Sequence, residues 1–80
     1  GHQYDYQVLK KVINSEAAYI GMIGSSRKIK TVYNQLRDDG TEEAELDAVH
    51  APIGLDIGSE TPSEIAVAIA AELIAVRRDK

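Results

Sequence analysis

The chain has 80 residues, of which 44% are hydrophobic and 28% charged, so it has the size and composition of one small globular domain or part of one. Its formal net charge of −4 argues against nucleic-acid and anionic-membrane partners, because both require a basic surface. It has no cysteine, which excludes disulfides and thiolate metal sites, so we expect no metal site. It has neither a signal peptide pattern nor an apolar run near the ~20 residues that span a bilayer, so we expect a cytoplasmic protein.

The first half of the chain predicts a helix, a strand and a second helix. Apolar residues at helical spacing predict the first helix from Tyr4 to Asn14. The continuous apolar run from Ala17 to Gly24 is typical of a parallel strand that is buried on both faces. The second helix is predicted from Ser26 to Asp38 and ends before Gly40, which suits a positive φ. One face of this helix carries apolar residues at positions Ile29, Val32, Tyr33 and Leu36.

The second half predicts two more helices with a short strand between them. An acidic helix is expected from Thr41, as its N-cap, to about Val49. A short strand is expected from Ile53 to Ile57, within a glycine- and proline-containing stretch. The sequence Thr-Pro-Ser-Glu at residues 61–64 is a strong start for the last helix, which runs from Pro62 to Arg78, because it combines an N-cap, a proline at the first helical position and a capping-box glutamate.

The last helix is unusual because it is apolar on all sides. Its stronger stripe is formed by Ile65, Ile69, Leu73 and Val76, and the opposite side carries Val67, Ala70, Ala71 and Ile74. A helix that is apolar all round requires burial all round, so we expect a second contact surface and a homo-oligomer, or contact with another protein. The alternative is alanine as a helix-favouring residue on an exposed face. Glu72, at the edge of the stronger stripe, requires Lys, Arg or His50 as a partner.

The order strand, helix, helix, short strand, helix is that of an α/β protein. Two strands are few for such a sheet, since natural sheets usually have about four to six. The chain is therefore expected to be half of a doubly wound domain, with few parallel strands flanked by helices.

The turn between the first strand and the second helix is the first candidate site. A helix N-terminus offers unpaired N–H groups to an anion, and here it follows the carboxyl end of a parallel strand. The residues that contribute glycine backbone, hydroxyl groups and positive charge are Gly21, Gly24, Ser25, Ser26, Arg27 and Lys28. In the alternative interpretation a serine caps the helix, the glycines serve packing and the basic side chains are solvated.

The loop before the last helix is the second candidate site. Glycines on both sides of an apolar–acidic alternation, entered through a proline, predict a constrained loop. Its candidate ligand-binding residues are His50, Pro52, Gly54, Asp56 and Glu60. The alternative is a turn whose aspartate bonds its own backbone, with a histidine that packs on a helix end.

The start of the chain is a third and weaker candidate, through His2 and Asp5. His2 is either native or a cloning remnant, and Asp5 is more often a helix-start anion than a catalytic residue. Neither histidine is accompanied by a nucleophile elbow, so no residue is predicted to be catalytic.

Two motifs in this order make the chain similar to a known family. The segments AAYIGMIGSSRK and HAPIGLDIGSETPSEIAVAIAAELIAVRR resemble the C-terminal Rossmann-like domain of the xanthine dehydrogenase accessory proteins, the XdhC/CoxI family. The resemblance implies a partial Rossmann-like α/β fold, with residues 1–80 as the C-terminal part of the domain and the upstream half and N-terminal domain outside the chain. It also favours a native His2.

The same resemblance implies a non-enzymatic chaperone that binds molybdenum cofactor (molybdopterin) and delivers it to an apo molybdenum hydroxylase, with a cysteine desulfurase as a second partner. The cofactor phosphate is then expected on residues 24–28, with residues 52–60 on the other side and His2 and Asp5 as lesser contributors. NAD(P) is a possible ligand by analogy of fold. The alternatives are the nucleotide-binding half of an NAD(P)-dependent oxidoreductase and an oligomerisation module.

Overall fold

A computed structural model of the protein describes residues 2–79, with the side chain of His2 excepted. It contains four helices: α1 (His2–Val12), α2 (Ser26–Asp38), α3 (Glu43–Asp47) and α4 (Pro62–Arg77). The predicted helices are all confirmed. The second has the predicted bounds, the fourth ends one residue early, the first lies slightly nearer the chain start, and the third is shorter than predicted.

The predicted α/β architecture is wrong. Within residues 2–79 there is no sheet, and the first predicted strand contributes only one residue, Gly21, to a single isolated parallel bridge with His50, which precedes the second predicted strand. The predicted partial Rossmann-like fold, with few parallel strands flanked by helices, is thereby replaced by four helices joined through extended segments. Residues 53–57, the second predicted strand, form no strand.

The bridge stops after one step because of a proline. The His50 N–H donates to the Ile20 carbonyl and the Met22 N–H donates to the His50 carbonyl, each at 2.9 Å. In a parallel ladder the next donor to the Met22 carbonyl would be residue 52, but Pro52 has no N–H. Ile53 donates to that carbonyl instead, at 2.9 Å, and the register is lost.

The core lies between α1, α2 and the segments that follow them. The buried side chains are Leu9, Met22, Ile29, Val32, Leu36, Leu46 and Val49. The predicted apolar face of α2 is confirmed: Val32 and Leu36 are completely buried and Tyr33 packs against the core. Burial of this face explains why the amphipathic period was enough to locate α2.

Side-chain caps define where the helices begin. Ser25 is the N-cap of α2, and its hydroxyl accepts a hydrogen bond from the Lys28 N–H at 3.2 Å. The predicted capping box of α4 is confirmed, with Thr61 and Glu64 bonding each other's backbone N–H. The prediction of Thr41 as the cap of α3 is wrong, because Glu42 and Glu45 form that capping box.

The face that α4 turns inward differs from the predicted stripe. Its buried residues are Ala68 and Glu72, whereas Ile65 and Leu73 are 41% and 44% exposed. The reason is the close approach of the preceding loop, whose Leu55 N–H donates to the Ala68 carbonyl at 3.1 Å. Because the loop backbone contacts the helix backbone at this point, only a small side chain such as that of Ala68 fits there. No helix within the described residues is long and apolar enough to cross a membrane.

Candidate functional site

The two sequence motifs meet at one groove of about 760 Å³. Gly24, at the end of the first motif, lies on one side together with Ile23. Residues 52–59 supply the loop wall, and the start of α4 closes the groove at Pro62 and Ile65. Of the predicted site residues, this groove therefore brings together Gly24, Pro52, Gly54 and Asp56.

A second groove, of about 590 Å³, lies beside the first and shares Ile23 and Ile53 with it. It is bordered by α1 and by the extended segment at residues 20–23. Three predicted site residues lie here: Asp5, Gly21 and Lys28. Lys28 and Asp5 form an ion pair across this groove, so the lysine charge is largely neutralised within the protein.

The start of α2 lies at the edge of the larger groove. Ser25 acts as the cap, which confirms the structural alternative for that serine. Ser26 and Arg27 are exposed in the first turn, where backbone N–H groups have no acceptor within their own helix. The helix end that the sequence predicted is therefore present, and the Ser25 hydroxyl is already used as its cap.

The remaining predicted residues do not line either groove. Glu60 is exposed, and its backbone N–H is held by the Glu64 carboxylate at 2.9 Å. The side chain of His2 is outside the described residues. Within residues 2–79 no group of three or more His, Asp or Glu side chains is arranged to hold a metal ion.

Beneath the larger groove lies a buried carboxylate that holds its loop. Glu72, 8% exposed, accepts hydrogen bonds at Oε1 from the Tyr19 hydroxyl at 2.5 Å and from the Gly54 N–H at 2.9 Å. Its Oε2 is 3.4 Å from Nδ1 of His50. The Tyr19 and His50 rings stack with centroids 4.7 Å apart and planes 12° from parallel. One side chain of α4 therefore fixes the extended segment and the glycine loop together.

The hydrogen bonds determine the charge of this network. Burial alone raises the pKa of Glu72, but the Tyr19 hydroxyl, the Gly54 N–H and His50 outweigh it and the net pKa is lowered. Burial, together with the adjacent carboxylate, raises the pKa of the Tyr19 phenol to about 12. At neutral pH the site therefore contains a carboxylate that accepts and a phenol that donates.

Sequence reasoning found only part of this network. His50 was among the predicted partners of Glu72, and that contact is confirmed. Tyr19 and the Gly54 N–H were not predicted, because both are distant along the chain and neither belongs to a helical or alternating pattern with residue 72. The available signal was a single carboxylate within an otherwise apolar helix, which requires several donors if it is buried.

Gly54 is required both for its backbone angle and for the space it leaves. Its φ is +96°, and a Cβ at this position would lie 3.2 Å from the Ala68 Cβ and 3.3 Å from the Ile69 nitrogen. We expect Gly54→Ala to lower the free energy of unfolding by about 2–4 kcal/mol, from backbone strain plus overpacking, in urea denaturation.

Gly40→Ala is the matched control for that substitution. Gly40 has a φ of +94° but nothing within 4 Å of the added Cβ. Its substitution should therefore lower the free energy of unfolding by backbone strain alone, about 1 kcal/mol. Equal losses in the two variants would show that the loop and α4 are not in close contact.

Comparison with known proteins gives the family. Residues 1–73 match the XdhC Rossmann domain family. The chain is 39% identical over 75 residues to the uncharacterized protein YqeB of Escherichia coli (strain K12), covering 94% of this chain and 14% of that protein. It is 30% identical over 77 residues to a probable xanthine dehydrogenase subunit of Bacillus subtilis (strain 168), covering 96% of this chain and 21% of that protein.

A solved structure agrees with the sequence matches. The crystal structure of a xanthine dehydrogenase from Bacillus halodurans aligns with 100% of this chain at a TM-score of 0.76 and 29% identity, over 22% of its own length. The chain thus spans about a fifth or less of the relatives that it matches. The chain belongs to the XdhC Rossmann domain family and is related to the xanthine dehydrogenase accessory proteins.

Proposed function

We propose that this domain binds the pterin and phosphate parts of molybdenum cofactor in the larger groove, as a non-catalytic carrier that passes the cofactor to a molybdenum hydroxylase. The observation that carries the proposal is that Gly24 and residues 52–59, from two motifs far apart in the chain, line the same groove. Family membership supports the ligand class, because one relative is named as a probable xanthine dehydrogenase subunit.

The residues present fit the organic part of the cofactor. A groove of about 760 Å³ lies within the range of small-molecule sites. Its walls combine apolar side chains, such as Ile53 and Leu55, with glycine backbone that a planar ring can approach closely. At its edge, the N–H groups of Ser26 and Arg27 and the guanidinium of Arg27 suit a phosphate.

The residues do not fit direct ligation of the metal. The chain has no cysteine, and residues 2–79 contain no cluster of three metal-ligating side chains. When bound, the cofactor itself supplies the molybdenum centre and its redox chemistry. In this proposal the chain's own residues bind and orient the pterin. Delivery requires that the protein docks to the hydroxylase, and a cysteine desulfurase is its second partner.

The test is a pterin release assay. The protein is purified without oxygen from molybdate-fed cells and denatured, and the liberated pterin is oxidised and measured by fluorescence. We expect pterin with the wild-type protein and about tenfold less with Ser26→Pro, because the proline removes one phosphate-facing N–H while remaining compatible with the first position of α2.

Two substitutions make that result specific. Ser26→Ala keeps the N–H and should retain near-wild-type pterin, so the pair isolates the amide from the hydroxyl. Arg27→Ala should lose pterin, whereas Lys30→Ala, an exposed cation one turn further along, should not. Absence of pterin from the wild-type protein, beside a loaded positive control, would overturn the proposal. NADPH is titrated in parallel, and binding of NADPH alone would identify a nucleotide site.

A further inference from the structure

The outward face of α4 is an apolar surface that the described residues leave uncovered. Val67, Leu73 and Ile74 are 60%, 44% and 54% exposed, and the alanines beside them, Ala66 and Ala70, are exposed too. Ala68 and Glu72 face the opposite way and are buried. Monomeric proteins rarely leave such a continuous stripe in water, so this face calls for a partner surface.

The stripe is symmetric in sequence about Ala70. The exposed positions around it lie three, four and seven residues away on either side: Ser63, Ala66, Val67, Leu73, Ile74 and Arg77. This is the spacing of a helix that packs along a second helix. In an antiparallel pair centred on Ala70, the small Ala66 meets the partner's Ile74, and Val67 meets the partner's Leu73. Ala70 then meets its own copy on the axis and Ala66 faces the partner's Ile74, so small side chains at and beside the centre allow close approach.

The charges select the antiparallel arrangement. Glu60 and Glu64 lie at the start of α4, and Arg77 and Arg78 lie at its end. Two copies side by side in opposite directions place each acidic end against the partner's basic end and oppose the two helix dipoles. A parallel pair would place like charges together at both ends.

We infer that this face binds a second copy of the chain, through an antiparallel, two-fold α4–α4 contact with Ala70 on the axis. A self-complementary patch of this kind is what a two-fold dimer requires. One helix face of this length makes a small interface, so the dimer is weak and its population depends on concentration. The inference is independent of the cofactor proposal, because the residues of this stripe do not line the larger groove.

Single-cysteine crosslinking tests the geometry directly, because the chain has no cysteine of its own. With Ala70 on the axis, the two thiols of Ala70→Cys lie within disulfide distance, and we expect rapid formation of a covalent dimer under mild oxidation. Ser63→Cys, on the same face but seven residues away, lies about 10 Å from the axis, so its two thiols are about 20 Å apart and should not pair. Asn34→Cys, exposed on α2, measures random collision.

The crosslinking rates distinguish an antiparallel contact from a parallel or unspecific one. A dimer from Ala70→Cys at least tenfold faster than from Ser63→Cys or Asn34→Cys supports the antiparallel contact. Equal rates for Ala70→Cys and Ser63→Cys would overturn it in favour of a parallel or unspecific contact. Sedimentation of the cysteine-free wild-type protein is the second measurement. We expect a mass that rises with concentration and falls back to the monomer in Arg77→Glu/Arg78→Glu, and a monomer at every concentration would overturn the inference.

Discussion

Replacing Glu72 by leucine is expected to lower the free energy of unfolding by about 2–3 kcal/mol, because the half-buried Tyr19 hydroxyl and Gly54 N–H both lose their acceptor. Leucine has a similar volume, so the loss reports hydrogen bonds rather than a cavity. The measurement is urea denaturation at neutral pH, followed by circular dichroism. The same variant should bind less pterin, since the loop that forms the groove is no longer held.

Glu72→Gln is the matched control. Its amide oxygen can accept from both donors, so we expect it to retain most of the stability that leucine loses. Equal losses in the two variants would contradict the hydrogen-bond explanation and would assign the effect to the charge beside His50.

The lowered pKa of Glu72 gives a pH dependence with a defined sign. A carboxylate whose pKa is lower in the folded than in the unfolded state stabilises the fold above the unfolded pKa, near pH 4.3, and that contribution is lost as the pH falls through the folded pKa. The wild-type protein should therefore lose stability below about pH 4.3 more steeply than Glu72→Gln.

Leu36→Ala is expected to have the largest effect on the core, a loss of about 2–5 kcal/mol in the free energy of unfolding. Leu36 is completely buried on α2, within the cluster that joins this helix to α1 and to Leu46. Truncation removes apolar contact and leaves a cavity that the neighbouring helices cannot fill. In a domain of this size such a loss is expected to leave a substantial unfolded population at room temperature.

The control for this substitution is Ile23→Ala. Ile23 is 72% exposed, so the same kind of truncation should change stability by less than about 0.5 kcal/mol. Urea denaturation of both variants gives the comparison. A loss for Leu36→Ala as small as that for Ile23→Ala would contradict the position of α2 in the core.

The helices were predictable from sequence because their signals are local. The face of α2 and the Thr61 capping box lie within a few residues of the structure that they specify. The strands were not predictable, because a continuous apolar run says nothing about a partner. The first run pairs with a segment where Pro52 interrupts the ladder, so extended chain remains without a sheet.

The candidate site was predicted as two separate motifs, and folding brings parts of both to one groove. Glycines and prolines in the sequence located the loop, and the family resemblance, rather than the residue pattern itself, placed residues 24–28 opposite residues 52–60. The ion pair between Lys28 and Asp5 was not predicted from the sequence, and it engages one of the cations that were predicted to bind a ligand. The support from Glu72 depends on three contacts between distant segments, which only the fold defines.

The central claim is that the groove between Gly24 and residues 52–59 holds a pterin, and amide chemical-shift mapping of the ¹⁵N-labelled chain tests it most directly. An oxidised, stable derivative of molybdopterin is titrated into the protein. We predict that the largest shifts fall on the amides of Gly24, Ser26, Gly54 and Gly58, with little change on the outward face of α4. Shifts spread evenly over the surface, or confined to residues away from this groove, would contradict the claim.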